Sequence, residues 1–185
     1  MVTSETQIAN LAATLLGPRL ITSLDETSDF ARIAKVNFSA CRDATLRAGL
    51  WSFASWRAQL AALTAPVPAF TYGAYFQLPN DFIRLYPMDP DFEYNIEGSY
   101  IAASETRLDI RYIRRITNVT LFDPLFVEAF AARLAWKATF KLTQTSATRQ
   151  ELWEIFLQHM KEAKSADAQQ KRESWGSNTW IDARE

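Results

Sequence analysis

His159 is the only imidazole and Cys41 the only thiol in the 185-residue chain. A protein metal site draws on several His, Cys, Asp or Glu side chains at workable spacing. Glu151, Glu154, His159 and Glu162 fall on one predicted helix. Glu154 and His159, five apart, do not share a face of it, whereas His159 and Glu162, three apart, do. No second His or Cys joins them, so His159 reads as an ordinary solvated or half-buried side chain. Cys41 sits in an apolar stripe without a histidine near it in sequence, which makes it a buried structural thiol. No Gly-x-Ser-x-Gly elbow occurs. With 5 Gly in all, a phosphate-cradling glycine loop is hardly affordable. Asp89 with Asp91 and Glu151 with Glu154 are carboxylate pairs of the kind that normally sit on surfaces. No catalytic residue, cofactor or metal is therefore expected, and the chain reads as a non-enzyme.

Two clusters remain that suit binding. Arg107, Arg111, Arg114 and Arg115 surround Tyr112. Arginine and aromatic together can hold phosphates and stack on bases. Asp109 lies among them, and the run falls on a predicted strand. The favoured reading is an edge strand protected by charge, or an intersubunit ion-pair surface. The second cluster is Trp175 and Trp180, set in a polar stretch of Ser, Gly, Asn and Thr. Trp is a frequent interface anchor. Either the two indoles order on a partner or they fold back onto the helices, and the residues leave both open.

The rest of the composition narrows the class. Lys plus Arg is 20 against 21 for Asp plus Glu, a net charge of -1. DNA-binding proteins usually show a basic excess or stripe, so a direct DNA-binding role is disfavoured. A single cysteine excludes an intrachain disulfide. The opening MVTSETQIAN lacks the pattern of a signal peptide, and no apolar stretch reaches the length of a membrane span. Synthesis in the cytoplasm is expected. Aromatics are the anomaly, with 6 Trp, 6 Tyr and 12 Phe. Most should fill the core, and the remainder suit interfaces.

Hydrophobic periodicity assigns the elements that would position these residues. A first helix over 5–16 has Ser4 and Gln7 at capping-box spacing and buries Ile8, Leu11, Ala12, Leu15 and Leu16. Gly17 and Pro18 stop it. A second, from Glu26 or Ser28 to Ala48, carries the stripe Phe30, Ala34, Phe38, Cys41, Thr45 and Ala48 and closes at Gly49. A short helix is expected over 52–63. Proline and glycine then punctuate the chain. A small antiparallel sheet is expected from strands 83–87, 92–97, 100–103 and 108–116. Asp123 caps a third helix that begins at Pro124 and runs to Leu142. Thr145 or Ser146 caps a fourth, to about Lys171, which buries Leu152, Ile155, Phe156 and Met160. The expected fold is α+β, mainly α: a four-helix bundle with a small antiparallel β-sheet insertion between the second and third long helices. Residues 1–65 and 122–173 would form the two halves of the bundle, 66–121 the β module and 174–185 a C-terminal tail.

Short motifs recur along this frame in a set order. Ile8, Asn10 and Leu11 lead to Leu16–Gly17 and Ile21–Thr22–Ser23–Leu24. Arg42–Asp43, Leu46–Arg47, Trp51 and Phe53–Ala54 follow. Then come Tyr75–Phe76–Gln77–Leu78–Pro79, Asp81, Arg84–Leu85, Ile110–Arg111–Tyr112–Ile113–Arg114–Arg115, and 122–129 as Phe-Asp-Pro-Leu-Phe-Val-Glu-Ala. Over about residues 5–170 this series resembles the tail tubular protein A family, the adaptors of T7-like podophages. The resemblance implies a helical bundle with a β insertion and a ring, usually a dodecamer, at the head–tail junction of the virion. The ring would lie between portal protein and tail nozzle protein, and DNA would pass through its channel without sequence-specific binding. It implies no catalytic residues. Trp175 and Trp180, beyond the residues that carry the resemblance, are candidate portal or partner contacts, and Arg107, Arg111, Arg114 and Arg115 candidate intersubunit or nozzle contacts. The competing readings are a head-completion or connector protein of another tailed-phage type, and a nucleic-acid-binding accessory protein that uses the arginine strand.

Overall fold

The computed structural model describes residues 4–142 and 146–170. Four helices and six strands follow in the order α1 (Glu5–Leu16), α2 (Asp29–Ala48), β1 (Ser55–Ala61), β2 (Ala74–Gln77), β3 (Phe82–Leu85), β4 (Asn95–Glu97), β5 (Tyr100–Ala103), β6 (Arg107–Arg114), α3 (Pro124–Leu142) and α4 (Ser146–Gln170). No helix among the described residues is long and apolar enough to cross a membrane.

The helix ends form for the local reasons read from the sequence. The Ser4 hydroxyl accepts from the Gln7 N–H at 3.2 Å, and Gly17 takes φ 86° so that its N–H reaches the Ala13 carbonyl at 2.9 Å. Ser28 caps α2 through the Ala31 N–H, and the Asp123 carboxylate accepts from the Leu125 N–H at 2.9 Å to start α3. Asn10 clamps the connector after α1, giving and accepting one bond with the Ile21 backbone, each at 2.9 Å. The buried stripe of α2 contains Phe30, Ala34, Phe38, Cys41 and Thr45, as expected. On α1 the buried face is rotated toward Ile8, Ala9, Ala12 and Ala13, which leaves Leu11 and Leu15 largely exposed. Alanines on that face let α1 approach the alanine-rich α3 closely.

The expected four-helix bundle with one small inserted sheet is corrected by this arrangement. The described residues hold four helices together with two three-stranded antiparallel sheets, and the helices are not a consecutive bundle. α3 is the hub: α1, α2 and α4 each pack on it, while α1 and α2 touch sparingly. Its buried residues, among them Phe126, Val127, Phe130, Ala131, Leu134 and Ala135, point to every side. A helix apolar all round belongs in the middle of a core.

The second correction concerns residues 52–63. Only Ser52–Ala54 is helical, as a single 3-10 turn, and Ser55–Ala61 is strand β1. β1 pairs along its whole length with β6, from Ser55 opposite Ile113 to Ala61 opposite Arg107. β3 flanks β6 on the other side, with a bulge between Phe82 and Arg84, so the arginine strand is central and not the charge-protected sheet edge that was expected. The other sheet has the order β2-β5-β4 and was foreseen only in part, because 92–94 is not strand and Ala74–Gln77 is.

Two buried clusters result. The larger gathers the helices with Trp51, Ile83, Ile113 and Ile116. The smaller lies between the sheets and contains Phe76, Leu85, Ile101, Leu108, Ile110 and Tyr112. Strand alternation explains how β6 serves both. Leu108, Ile110 and Tyr112 face the sheet core, and Ile113 falls on the opposite face, where the helices cover it.

Candidate functional site

The pairing of β1 with β6 decides where the predicted arginines go. Arg107 and Arg111 share the outer face of the sheet with Arg57 and Gln59 of β1, and Asp109 stands between them. Arg57 lies directly opposite Arg111, a like-charge cross-strand pair that is unfavourable unless one side chain turns away. Arg111 does so: its Nε donates to the Ser55 hydroxyl at 2.8 Å, and its guanidinium stacks 4.3 Å over the Tyr86 ring. Arg107 stays exposed, 3.7 Å from Asp109, while Gln59 donates to the same carboxylate at 2.9 Å. Arg114 points to the other face and lies 4.4 Å over the half-exposed Trp56 ring. The structure therefore brings Arg107 and Arg111 together and adds Arg57, which sequence reading missed because 52–63 looked helical. It separates Arg114 and Arg115 from them.

Arg115 belongs to a junction between helices and sheet. Its Nε donates to Asp43 of α2 at 2.9 Å, and the buried Arg42 donates to the other oxygen of that carboxylate at 2.8 Å. The Arg115 N–H reaches the Asp81 carbonyl at 2.6 Å, and the Tyr112 hydroxyl donates to the Asp81 carboxylate at 2.9 Å. Burial, and then this bond to a carboxylate, push the Tyr112 hydroxyl up to about 12. Arg47 and Arg84 add a reciprocal tie, Arg47 to the Ile83 carbonyl at 2.8 Å and Arg84 to the Arg47 carbonyl at 3.2 Å. The charged residues of the ordered motifs thus fasten the β module to α2.

Several large apolar side chains stand exposed, and two sets of them stand out. Val36 of α2 (78%) and Phe140 of α3 (50%) line a shallow groove flanked by Arg32, Lys137 and Lys141. Val67 and Phe70 (82%) project from the proline-rich link between β1 and β2. Val36 interrupts the polar face of an amphipathic helix, and that was the one signal in the sequence for the groove.

His159 is placed with Glu162, as its spacing required, and also with Glu128 of α3. Its Nδ1 lies 3.4 Å from the Glu128 carboxylate and 3.9 Å from that of Glu162. No three His, Cys, Asp or Glu side chains among the described residues are arranged to hold a metal ion. Cys41 is buried, which pushes its thiol up to about 11 although Arg133 and Lys137 act in the opposite direction. Trp175 and Trp180 lie outside the described residues, as does Thr145.

The described surfaces present an arginine-bearing sheet face, a basic-rimmed apolar groove and an exposed aromatic link. Compared with known proteins, the chain matches no family model and no curated sequence.

Proposed function

We propose that the chain is a structural, non-enzymatic adaptor of a short-tailed phage neck. It is one subunit of a ring, a dodecamer in the virion, between portal and tail nozzle. DNA passes through the ring without sequence-specific binding, and the protein is made in the host cytoplasm before joining the virion. The ordered series of motifs from Ile8 to Ala129, with its resemblance to the tail tubular protein A family, carries this reading. The geometry lends support in one respect. The charged motif residues Arg42, Asp43, Arg47, Arg84 and Arg115 fix the orientation of the β module on the helices. A ring subunit that must meet neighbours in one repeated geometry needs such fixed orientation.

Negative-stain microscopy of the purified protein, alone and mixed with its cognate portal, tests the proposal. Rings or portal-capping discs are expected. A monomer indifferent to portal would overturn it. A second reading, a nucleic-acid accessory protein, is favoured by Arg57, Arg107 and Arg111 on one sheet face. A shift of short DNA that weakens steeply with salt would promote it over the first.

A further inference from the structure

Charge on α3 is one-sided. Arg133, Lys137 and Lys141 stand four residues apart, so they run as one ridge along the second half of the helix. Glu128 is the only carboxylate of α3, and it lies nearer the other end, beside His159. Arg149 of α4 joins the ridge, its guanidinium 4.1 Å over the Phe140 ring. None of these four cations makes an ion pair among the described residues. On the flanking helices Asp29 is taken by Arg32 at 2.6 Å and Glu154 by Gln150 at 3.2 Å. Glu151, two residues on from Arg149, faces another side of α4.

Aromatic rings stand where counter-charges would. Arg133 lies 5.1 Å over Phe156, Lys137 5.2 Å over Trp136, and Arg149 over Phe140. A ring face holds a cation in position without neutralising it. The groove shared with α2 runs beside this ridge, with Val36 and Phe140 as its apolar floor. Exposed apolar side chains among uncompensated cations define their complement, a surface that is apolar in the middle and acidic around it. The walls of the groove are helices, whose backbone groups bond within themselves. They offer no open sheet edge to an extended peptide, so the occupant satisfies its own backbone as a helix. From Arg133 to Lys141 the ridge is about 12 Å long, room for two turns. A nucleic-acid strand fits less well. The ring on which a base would stack, Phe140, already carries Arg149 over its face and meets Trp136 at 86°.

We propose that the α2–α3 groove docks an acidic amphipathic helix of a partner protein. Its apolar side chains rest on Val36 and Phe140, and its carboxylates pair with Lys137, Lys141 and Arg149. The inference stands apart from the ring reading, and neither needs the other.

Fluorescence anisotropy on the full chain tests it, with labelled, helix-stapled synthetic peptides as probes. One probe carries leucines along one face and glutamates over the rest. A second replaces the glutamates by lysines, and a third replaces the leucines by alanines. The leucine–glutamate helix binds, more weakly as salt rises, and the other two bind at least about tenfold less. Lys137→Glu with Lys141→Glu, with the circular dichroism of the wild type, loses the leucine–glutamate helix by roughly tenfold or more and gains the leucine–lysine helix. Val36→Ser weakens binding several-fold at low and high salt alike. A leucine–glutamate helix that does not bind, affinities untouched by these variants, or a charge reversal that leaves the preference unswitched would each overturn the proposal. So would short single-stranded DNA held more tightly than the helix through the same lysines. Discs formed on portal by a protein that ignores every helix sink this docking and leave the adaptor reading in place.

Discussion

Gly49 ends α2 in an extended conformation, φ -130°, so its lack of a side chain serves space and not handedness. A Cβ there would stand 2.7 Å from Cε2 of the Trp51 indole. That indole is pinned. Its Nε1 donates to the Thr45 carbonyl at 3.0 Å, one of the last carbonyls of α2 without a helical partner, and its ring meets Phe126 edge-on at 5.0 Å. Gly49→Ala is expected to cost about 1–3 kcal/mol by displacing the indole, seen as a lower Tm; an unchanged Tm would contradict the close approach. The sequence announced Gly49 as a stop but not the reason, because Trp51 takes its place only through tertiary packing. Cys41 supports a second expectation. Its thiol is held neutral by burial, at about 11 against an ordinary 9.0. A raised value means that stability is intact below pH ~9 and is lost as pH rises toward ~11, by roughly 2–3 kcal/mol. Tyr112, raised from 10.0 to about 12, acts in the same direction. Cys41→Ser removes the thiol's share, so the drop in Tm from pH 9 to 11 should be smaller in the variant. Equal drops would refute it.

Among the elements, α3 bears the most. Phe130 is fully buried and meets Phe38 at 4.9 Å and Phe126 at 6.0 Å. Phe130→Ala should cost about 3–5 kcal/mol, whereas Phe140→Ala, on the same helix but half exposed, should cost far less. Urea midpoints compare the two, and equal losses would contradict the hub arrangement. The helices were legible in the sequence because caps and periodicity are local: Ser4, Gly17, Ser28 and Asp123 act within a turn of themselves. β1 was not. Residues 52–63, with four Ala and two Leu and free of Gly and Pro, favour helix locally. Their seven-residue pairing with β6, some fifty positions away, overrides that preference. The hub role of α3 was signalled by its all-round apolar character, yet a linear order of helices invites a symmetric bundle.

For the whole molecule, charge is the property that only the fold makes visible. The balance of 20 against 21 argued against a phosphate-gripping protein, and it concealed a groove flanked by Arg32, Lys137 and Lys141. Of the candidate contacts, the arginine run was legible as a strand, but not its division: Arg107 and Arg111 on the outer face, Arg114 on an indole, Arg115 on Asp43. Spacing gives the face of a strand, whereas what covers that face is set by elements far away in sequence.

β6 lies between β1 and β3 and lends side chains to both buried clusters. Freeing its amides to solvent requires two ladders and two cores to open at once, so they should be the last to exchange with deuterium. Their protection should report the global unfolding free energy, while β4, paired on one side only, exchanges early. A β6 whose amides exchange as fast as those of β4 would mean that the two halves of the protein live and die separately.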